Sequence, residues 1–360
     1  MRYYFDHNAC VPMSKEVKSY IISSLEKIGN PSSIHYSGRE SKRILEEARM
    51  NISRLIKCDS KNIIFTSGAT EANNLALNGY DKKIVSSIEH ESIRNQKNTI
   101  EVDVDDKGYI NLTMLHNIVQ SFNNKKKAII SIMFANNETG ILQPIKEIRK
   151  IANKFNIPFH TDAVQVVGKI KINFSELGID MLTLSSHKIG GPNGSGALIV
   201  SSKNIIKPLL FGGQQEESLR SGTEPLLSIA GFGEAAKRIN TKNMNEVKKI
   251  KEYFEKKLKN TNLGIVIIGE NSNRLPNTFM MYMPRIKADT LLIALDLEGF
   301  EVSTGSACSS GKAEPSSVVK KMGFSNTIAA GVIRISLGFD NTLAEVDQFI
   351  LCLIKIVKRI

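Results

Sequence analysis

The stretch DMLTLSSHKIGGPNGSGALIV, residues 180–200, joins two apolar runs through a polar turn that is rich in glycine. The two runs, MLTLS and GALIV, have the length and aliphatic content of buried β-strands. Lys188 follows the first run closely, and the glycines after it let the backbone turn tightly. A lysine at the end of an apolar strand is partly desolvated, which favours Schiff-base chemistry. The alternative is an ordinary lysine in a surface loop.

Similar apolar runs precede this stretch, and helical patterns separate them. The further candidate strands are NIIFTS, KIVSSIEH, AIISIMFAN and IPFHTDAV. The clearest helical pattern covers residues 144–155, where these apolar side chains share one face: Ile145, Ile148, Ile151, Ala152 and Phe155. Strands that alternate with helices predict βαβ units and an α/β fold with a mainly parallel sheet.

The pattern changes near residue 240. A polar helix is predicted from about Asn243 to Asn260, and the chain ends in a helix that starts at Leu343. A length of 360 residues fits one large and one small domain. We therefore predict a large domain of residues 14–242 and a smaller α+β domain of residues 1–13 and 243–360.

The composition excludes several classes of protein. No apolar stretch approaches the ~20 residues of a membrane-spanning helix, and the start MRYYFDHNAC does not resemble a signal peptide. The cytosol is the expected location. The formal net charge of +12 is spread along the chain beside acidic residues, which indicates solvated helices rather than a nucleic-acid site and leaves an acidic protein partner open.

Five of the candidate strands end in polar clusters: TSGATE, IEHES, NNETG, TDAVQ and SSHK. Ligands of open α/β sheets bind at the carboxyl ends of the strands. Clusters at five equivalent positions therefore predict one shared site.

Several of these polar residues have both a functional and a structural interpretation. The turn from Thr66 to Glu71 precedes a helix, so it can bind a phosphate or simply cap that helix. Asp162 can keep the nitrogen of a pyridine ring protonated, or it can be a helix cap. His90 can stack on a cofactor ring and move protons, or be structural. Asn137 can bind a phenolic oxygen or a carboxylate, or stabilise a turn.

The chain has four cysteines, and their spacing does not match a zinc site. Cys308 lies in VSTGSACSSGKAEPSS, among small and polar residues that cannot bury it, so we expect an exposed and reactive thiol. Cys352 lies in an apolar pattern and is expected in the core. Cys58 is given no role. Four cysteines in a chain of this size, without a secretion signal, indicate a reducing compartment.

The sequence resembles the pyridoxal-phosphate (PLP)-dependent cysteine desulfurases, the NifS/IscS-like group of the class V aminotransferase superfamily. Blocks in the family's order carry the resemblance over nearly the whole chain: YFDHNA, NPSSIHYSGR, TSGATEANN, EH at 89 and 90, NNETG, HTDAVQ, SSHKIGGPNG, RSGT, GSACSS and IRISLG. The resemblance implies PLP as cofactor and no metal. It also implies fold type I, with a mainly parallel seven-stranded sheet, helices on both faces and a smaller domain.

The resemblance also implies a role for each matching residue. Lys188 would form the Schiff base with PLP and later move the substrate α-proton, while His90 would stack on the ring and assist proton transfer. Asp162 would pair with the pyridine nitrogen and Gln165 with the phenolic oxygen. The cofactor phosphate would be bound by Ala69, Thr70, Ser185 and His187. In a homodimer, Thr223 would reach the phosphate of the neighbouring subunit's cofactor. The substrate carboxylate would be bound by Asn137 and Arg334.

The implied reaction takes sulfur from L-cysteine, releases L-alanine and leaves a persulfide on Cys308. The sulfur would then pass to an acceptor, an iron–sulfur scaffold protein or a tRNA-thiolation enzyme. This chain departs from the family at Cys10 and Val11, at Phe339 and in the segment GGQQEES, and these differences bear on the acceptor more than on the chemistry. The extra thiol of Cys10 is expected to be a neutral substitution.

Two alternatives stay open at this point. A thiol-independent class V aminotransferase or lyase would explain Lys188 and Asp162 but not a cysteine within GSACSS. A scaffold that only binds a sulfur acceptor or a tRNA would not need Lys188, Asp162, His90 and Arg334 together.

Overall fold

The structure is a computed structural model, and it describes residues 2–27, 29–122, 127–304 and 314–359. Cys308 lies outside the described residues. The strands are β1 Tyr3–Tyr4, β2 Ile63–Thr66, β3 Lys82–Ser86, β4 Thr99–Val102, β5 Ala128–Ser131, β6 Phe159–Asp162, β7 Met181–Ser185, β8 Gly196–Val200, β9 Val266–Ile268, β10 Thr278–Tyr282, β11 Phe300–Glu301, β12 Ser303–Thr304 and β13 Val332–Ser336. The helices are α1 Lys15–Leu25, α2 Tyr36–Ile56, α3 Ala69–Leu77, α4 Glu91–Arg94, α5 Leu112–Gln120, α6 Ile145–Phe155, α7 Phe174–Leu177, α8 Leu226–Arg238, α9 Met244–Lys259, α10 Ala288–Leu297, α11 Ser317–Lys321, α12 Asn326–Ala329 and α13 Leu343–Arg359.

The larger sheet has seven strands in the order β2-β8-β7-β6-β5-β3-β4. Its neighbours pair in parallel except for β8, which runs antiparallel to both β2 and β7. This confirms the mainly parallel seven-stranded sheet. The apolar pattern identified six of the strands and missed β4, because this edge strand is only partly buried and carries Glu101.

Helices cover both faces of this sheet, as predicted. Alternate residues of a strand point to opposite faces, and those of β8 belong to different hydrophobic clusters. Ala197 and Ile199 pack with the cluster that includes residues of α2, α6 and α8. Leu198 and Val200 pack with the cluster that includes residues of α3. The cluster on the α3 face is the smaller of the two.

A second, antiparallel sheet has the order β12-β13-β10-β9. Its core includes the aromatic rings of Phe254, Phe279 and Phe349, which pack edge to face. The predicted helices at 243–260 and from Leu343 are confirmed as α9 and α13. Cys352 is buried in this core, as expected. Among the described residues, no helix is long and apolar enough to cross a membrane.

The N-terminal segment after β1 connects the two sheets. Asp6 forms a parallel bridge to Ser336 in β13, and the Asn8 amide donates to Ser336 Oγ over 2.9 Å. The Val11 amide then donates to the main-chain oxygen of His187, just after β7, over 2.9 Å. Residues 6–11 therefore run from the smaller sheet to the carboxyl end of the larger one.

Candidate active site

Lys188 lies at the carboxyl end of β7, in the single helical turn Ser186–Lys188. Its Nζ donates to the main-chain oxygens of Asn8, at 2.6 Å, and Ala9, at 2.9 Å. The side chain is half-buried. Two carbonyl oxygens of the N-terminal segment thus hold the amine at a fixed place.

The start of α3 lies beside this turn. The cap residue Gly68 has extended backbone and no side chain to accept from the first amides of the helix. A Cβ on Gly68 would meet nothing within 4 Å, so the space beside this cap residue is open. Free amides at a helix N-terminus bind phosphate well. These amides are therefore available for a phosphate, which stays a prediction.

The start of α3 and the end of β7 are close in space because glycine separates them. Gly196 pairs with Thr66 on one side and Ser185 on the other, and a Cβ on it would lie 2.6 Å from the Gly68 carbonyl carbon. Ser185 Oγ in turn lies 3.0 Å from Nδ1 of His187. The amides of α3, the hydroxyl of Ser185 and the ring of His187 therefore lie in one neighbourhood.

His187 is uncharged near neutral pH. Burial, and next the positive charge of Lys188, lower the pKa of its imidazole to about 4. A neutral ring has one N–H to donate. His187 can therefore offer a ligand a hydrogen bond but not a charge.

Asp162 and His90 belong to one hydrogen-bond network. Asp162, at the end of β6, accepts from Asn73 Nδ2 at 2.8 Å and from the Val164 amide at 3.0 Å. Asn73 Nδ2 also donates to Ser92 Oγ, which lies 2.8 Å from His90 Nδ1. Because the Ser92 amide donates to His90 Nδ1 at 3.1 Å, a neutral His90 ring carries its proton on Nε2. Asn73 was not singled out from the sequence.

Arg334, in β13, is the buried cation on the other side of the site, with 4% of its surface exposed. It donates to Asp6 Oδ1 at 2.6 Å and to the main-chain oxygen of Asn137 at 3.2 Å. The turn that holds Asn137 is stabilised by Asn136, whose Oδ1 accepts from the amides of Glu138 and Thr139. The turn-stabilising role thus belongs to Asn136, and Asn137 lies against the arginine.

Asn8 joins the two sides of the site. Its main-chain oxygen accepts from both Lys188 and Gln165 Nε2, the latter at 3.1 Å. Its side-chain Nδ2 donates to Asn137 O at 3.2 Å. The side chain is fully buried. No role was predicted for Asn8 or Asp6, although both lie in the block YFDHNA, where polar residues directly follow two aromatic ones.

The two ends of the segment that contains Cys308 are fixed near Arg334. On one side, Ser303 of β12 is the register partner of Arg334. On the other side, Ser316 Oγ donates to Glu138 Oε2 over 2.5 Å. In contrast, Thr223 is exposed, and no hydrogen bond in the described part of the chain joins it to these residues.

The other thiols differ in accessibility. Cys10 is exposed and Cys58 is half-buried, and burial raises the pKa of the Cys58 thiol to about 12. A thiol with so high a pKa is a poor nucleophile at neutral pH. Cys58 therefore stays without a role.

Known proteins resemble this chain over its whole length. The aminotransferase class-V family model matches residues 3–349. Cysteine desulfurase IscS of Dictyoglomus turgidum is 38% identical, with 99% of this chain and 95% of that protein aligned. Cysteine desulfurase IscS 1 of Archaeoglobus fulgidus is 36% identical, with 99% and 97% aligned.

The chain belongs to the class-V aminotransferase family, among its cysteine desulfurases. A solved structure of a NifS-like protein from Rickettsia africae superposes with a TM-score of 0.93 at 40% identity, covering 99% of this chain and all of that one. Fold type I is confirmed by this similarity. The desulfurases of this family are PLP-dependent enzymes, and so is this chain.

The residues at the site fit PLP. The open amides of α3 suit its phosphate, the carboxylate of Asp162 suits a protonated pyridine nitrogen, and the half-buried amine of Lys188 suits its aldehyde. Asn73 Oδ1 is buried and makes no hydrogen bond among the described residues. An unpaired polar atom beside Asp162 is in keeping with a site that is completed by a ligand.

Proposed function

We propose that this chain takes sulfur from L-cysteine, releases L-alanine and carries the sulfur as a persulfide on Cys308. One observation carries the proposal. The site that holds Lys188, Asp162 and His90 is bordered by Arg334 and Glu138. The two ends of the segment that contains Cys308 are fixed at these two bordering residues. A nucleophilic thiol in that segment would be tethered beside the substrate.

The reaction balances without an added oxidant or reductant. The carbon–sulfur bond of L-cysteine breaks and a sulfur–sulfur bond to Cys308 forms. The proton of the Cys308 thiol and the substrate α-proton are redistributed, so that the products are L-alanine and a Cys308 persulfide.

Each side chain has a stated task in this proposal. PLP, when bound, supplies an electron sink for the carbanion at the substrate Cα. Lys188 would hold the cofactor covalently and move the α-proton, for which the oxygens of Asn8 and Ala9 place its amine. Asp162 would keep the pyridine nitrogen protonated. His90 would stack on the ring and transfer protons with its Nε2.

The ends of the cofactor and substrate would be held by separate groups. The phosphate would lie against Ala69 and Thr70 at the start of α3, with Ser185 and His187 beside them. Gln165 would donate to the phenolic oxygen. Arg334 and Asn137 would bind the substrate carboxylate, for which a buried guanidinium offers a planar pair of donors.

A homodimer with Thr223 reaching the partner's cofactor phosphate is part of the proposal. Support comes from large apolar side chains that the single chain leaves exposed: Ile34 at 90%, Tyr36 at 71% and Phe211 at 85%. Phe211 lies twelve residues before Thr223. Exposed apolar side chains of this size are typical of interfaces between proteins.

The remaining predictions stay part of this proposal. The sulfur acceptor would be an iron–sulfur scaffold protein or a tRNA-thiolation enzyme, and the enzyme would act in the cytoplasm. The chain would divide into a large domain of residues 14–242 and a small domain of residues 1–13 and 243–360. Support for this division is that the cores of the two sheets are separate hydrophobic clusters.

The proposal is tested by the products. Purified protein loaded with PLP should release alanine and sulfide from L-cysteine in the presence of a thiol reductant. The Lys188→Ala variant should release neither at a comparable rate. Absence of alanine from the wild-type protein, with PLP shown to be bound, would contradict the proposed activity.

A further inference from the structure

A second lysine, Lys169, is buried beside the site and has no role in the proposed reaction. It lies four residues after Gln165, and only 5% of its surface is exposed. Its Nζ donates to Asn8 Oδ1 at 2.6 Å and to Gln165 Oε1 at 3.0 Å. No carboxylate in the described part of the chain forms an ion pair with it. Burial of an amine with neutral partners alone is costly, so its presence calls for an explanation.

Lys169 fixes which way the Gln165 amide faces. A lysine amine is a donor whether or not it is charged, and when charged it accepts no hydrogen bond. In the structure the oxygen of the Gln165 amide points to Lys169, and the nitrogen points the other way. That nitrogen donates to Asn8 O, the same oxygen that holds Lys188 Nζ. The N–H group of Gln165 is thus directed toward the reactive lysine.

Lys169 orients the Asn8 amide by the same argument. Asn8 Oδ1 accepts from Lys169 and from Thr278 Oγ1, the latter at 3.1 Å. Asn8 Nδ2 then donates to the main-chain oxygen of Asn137, to which Arg334 also donates. One buried amine therefore sets two amides, one on the Lys188 side and one on the Arg334 side.

Electrostatics agree with this geometry. Burial, and then the positive charges of Lys188 and Arg334, lower the pKa of Lys169 well below its ordinary value. An anionic ligand placed near Lys169 would oppose this lowering of the pKa and stabilise the charged amine. The phenolic oxygen of the cofactor and the carboxylate of the substrate are such ligands.

We propose that Lys169 is a positioning residue for the reaction, which acts by directing the Gln165 N–H toward the cofactor and the Asn8 N–H toward Asn137. The inference rests on the proposed function, in which Gln165 binds the phenolic oxygen. Without Lys169, the Gln165 amide is free to rotate by half a turn. Its oxygen would then face the phenolic oxygen, and two acceptors would repel each other.

The test compares two buried lysines of the same chain. Lys169→Met removes the donor and keeps an unbranched side chain that is one atom shorter. Lys251→Met is the matched control. Lys251 lies in α9, is also 5% exposed and donates to the main-chain oxygen of Leu275. The measured quantities are the dissociation constant of PLP, the absorbance spectrum of the bound cofactor across pH, and kcat and KM.

Lys169→Met should weaken PLP binding by about tenfold, the size expected for one lost hydrogen bond to a charged group. It should also change the wavelength or the pH dependence of the cofactor absorbance, which a loss of stability alone would not do. Lys251→Met should lower the unfolding temperature and leave PLP affinity and absorbance as in the wild type. Wild-type PLP affinity and absorbance in Lys169→Met would overturn the inference.

A double-mutant cycle tests the route through Gln165. If Lys169 acts by orienting Gln165, the pair Lys169→Met with Gln165→Leu should bind PLP no more weakly than Gln165→Leu alone. Additive losses would overturn this route. If Lys169→Met does not fold, Lys169→Gln replaces it. The PLP affinity of Lys169→Gln should then lie between that of the wild type and that of Gln165→Leu. If the wild type releases no alanine, the proposed function fails, while PLP affinity and absorbance still decide the role of Lys169.

Discussion

The Nζ of Lys188 lies 2.6 Å from the main-chain oxygen of Asn8, a residue 180 positions earlier in the chain. The reactive lysine is therefore held by the N-terminal segment and not only by its own sheet. The same segment bridges to Arg334 through Asp6. Residues 6–8 thus tie the lysine to the cation proposed for the substrate carboxylate.

The covalent attachment site is the first prediction. Reduction of the PLP-loaded protein with borohydride should leave the cofactor mass on the peptide that contains Lys188, because its amine lies at the site's centre. The peptide with Lys169 should stay unmodified, since only 5% of the surface of Lys169 is exposed, whereas Lys188 is half-buried. Peptide mass spectrometry decides between them. Modification of Lys169 alone would contradict the assignment.

The second prediction concerns Arg334. Lysine at this position keeps the charge but loses the planar pair of donors, so Arg334→Lys should raise the KM for L-cysteine by about 10- to 100-fold. Arg274→Lys is the control, because Arg274 is also buried but pairs with Glu255. Steady-state kinetics should show an unchanged KM for the control. An unchanged KM in Arg334→Lys would remove Arg334 from substrate binding.

The third prediction is a dependence of stability on pH. Burial lowers the pKa of His160 from 6.5 to about 3, so at pH 5 the folded state keeps this ring neutral while the unfolded state binds a proton. Each such histidine lowers the free energy of unfolding by roughly 1.4 kcal/mol per pH unit below pH 6.5. His7 and His187, with pKa values lowered to about 4, act in the same direction.

His160→Gln removes one of these groups. The fall in unfolding temperature between pH 7 and pH 5 should therefore be smaller in His160→Gln than in the wild type. This holds even if the two proteins unfold at different temperatures at pH 7. Thermal unfolding at several pH values measures this slope. Equal slopes in the two proteins would show that His160 does not titrate on unfolding.

The fourth prediction concerns the segment that leads to Thr223. Glu216 is buried and accepts two hydrogen bonds from Arg49, at 3.0 and 2.7 Å, and one from the Phe65 amide. Glu216→Gln leaves the buried Arg49 with only its longer ion pair to Glu46, at 3.4 Å, and should cost about 3 kcal/mol of stability. The neighbouring Glu217 is an exposed partner of Lys203, so Glu217→Gln should cost at most about 1 kcal/mol. Similar unfolding curves for both variants would contradict this difference.

The sequence predicts those features that depend on local pattern. The apolar periodicity of 144–155 predicted α6, and the runs of Ile and Val predicted the central strands. The strand-end clusters predicted where the site lies, because parallel strands bring their carboxyl ends to one edge. An edge strand such as β4 carries a weaker pattern and was missed.

The missed residues depend on contacts between distant segments. Asn8 and Asp6 form hydrogen bonds to residues 328 positions away, and Lys169 forms one to a residue 161 positions away. No local spacing reports such bonds. Lys169 interrupts the apolar run VVGKI, which was the available signal. A lysine inside an apolar run either lies on an edge strand or makes a buried polar contact. Only the folded structure shows which of the two applies.

The central claim, sulfur transfer to Cys308, is tested most directly by alanine release from Cys308→Ser. Cys10→Ser, which removes an exposed thiol, is the matched control. We expect both variants to bind PLP, Cys10→Ser to release alanine as the wild type does, and Cys308→Ser to release almost none. Mass spectrometry of the wild type should then find one added sulfur atom on the Cys308 peptide. Full alanine release by Cys308→Ser would contradict the account and favour a lyase that needs no thiol.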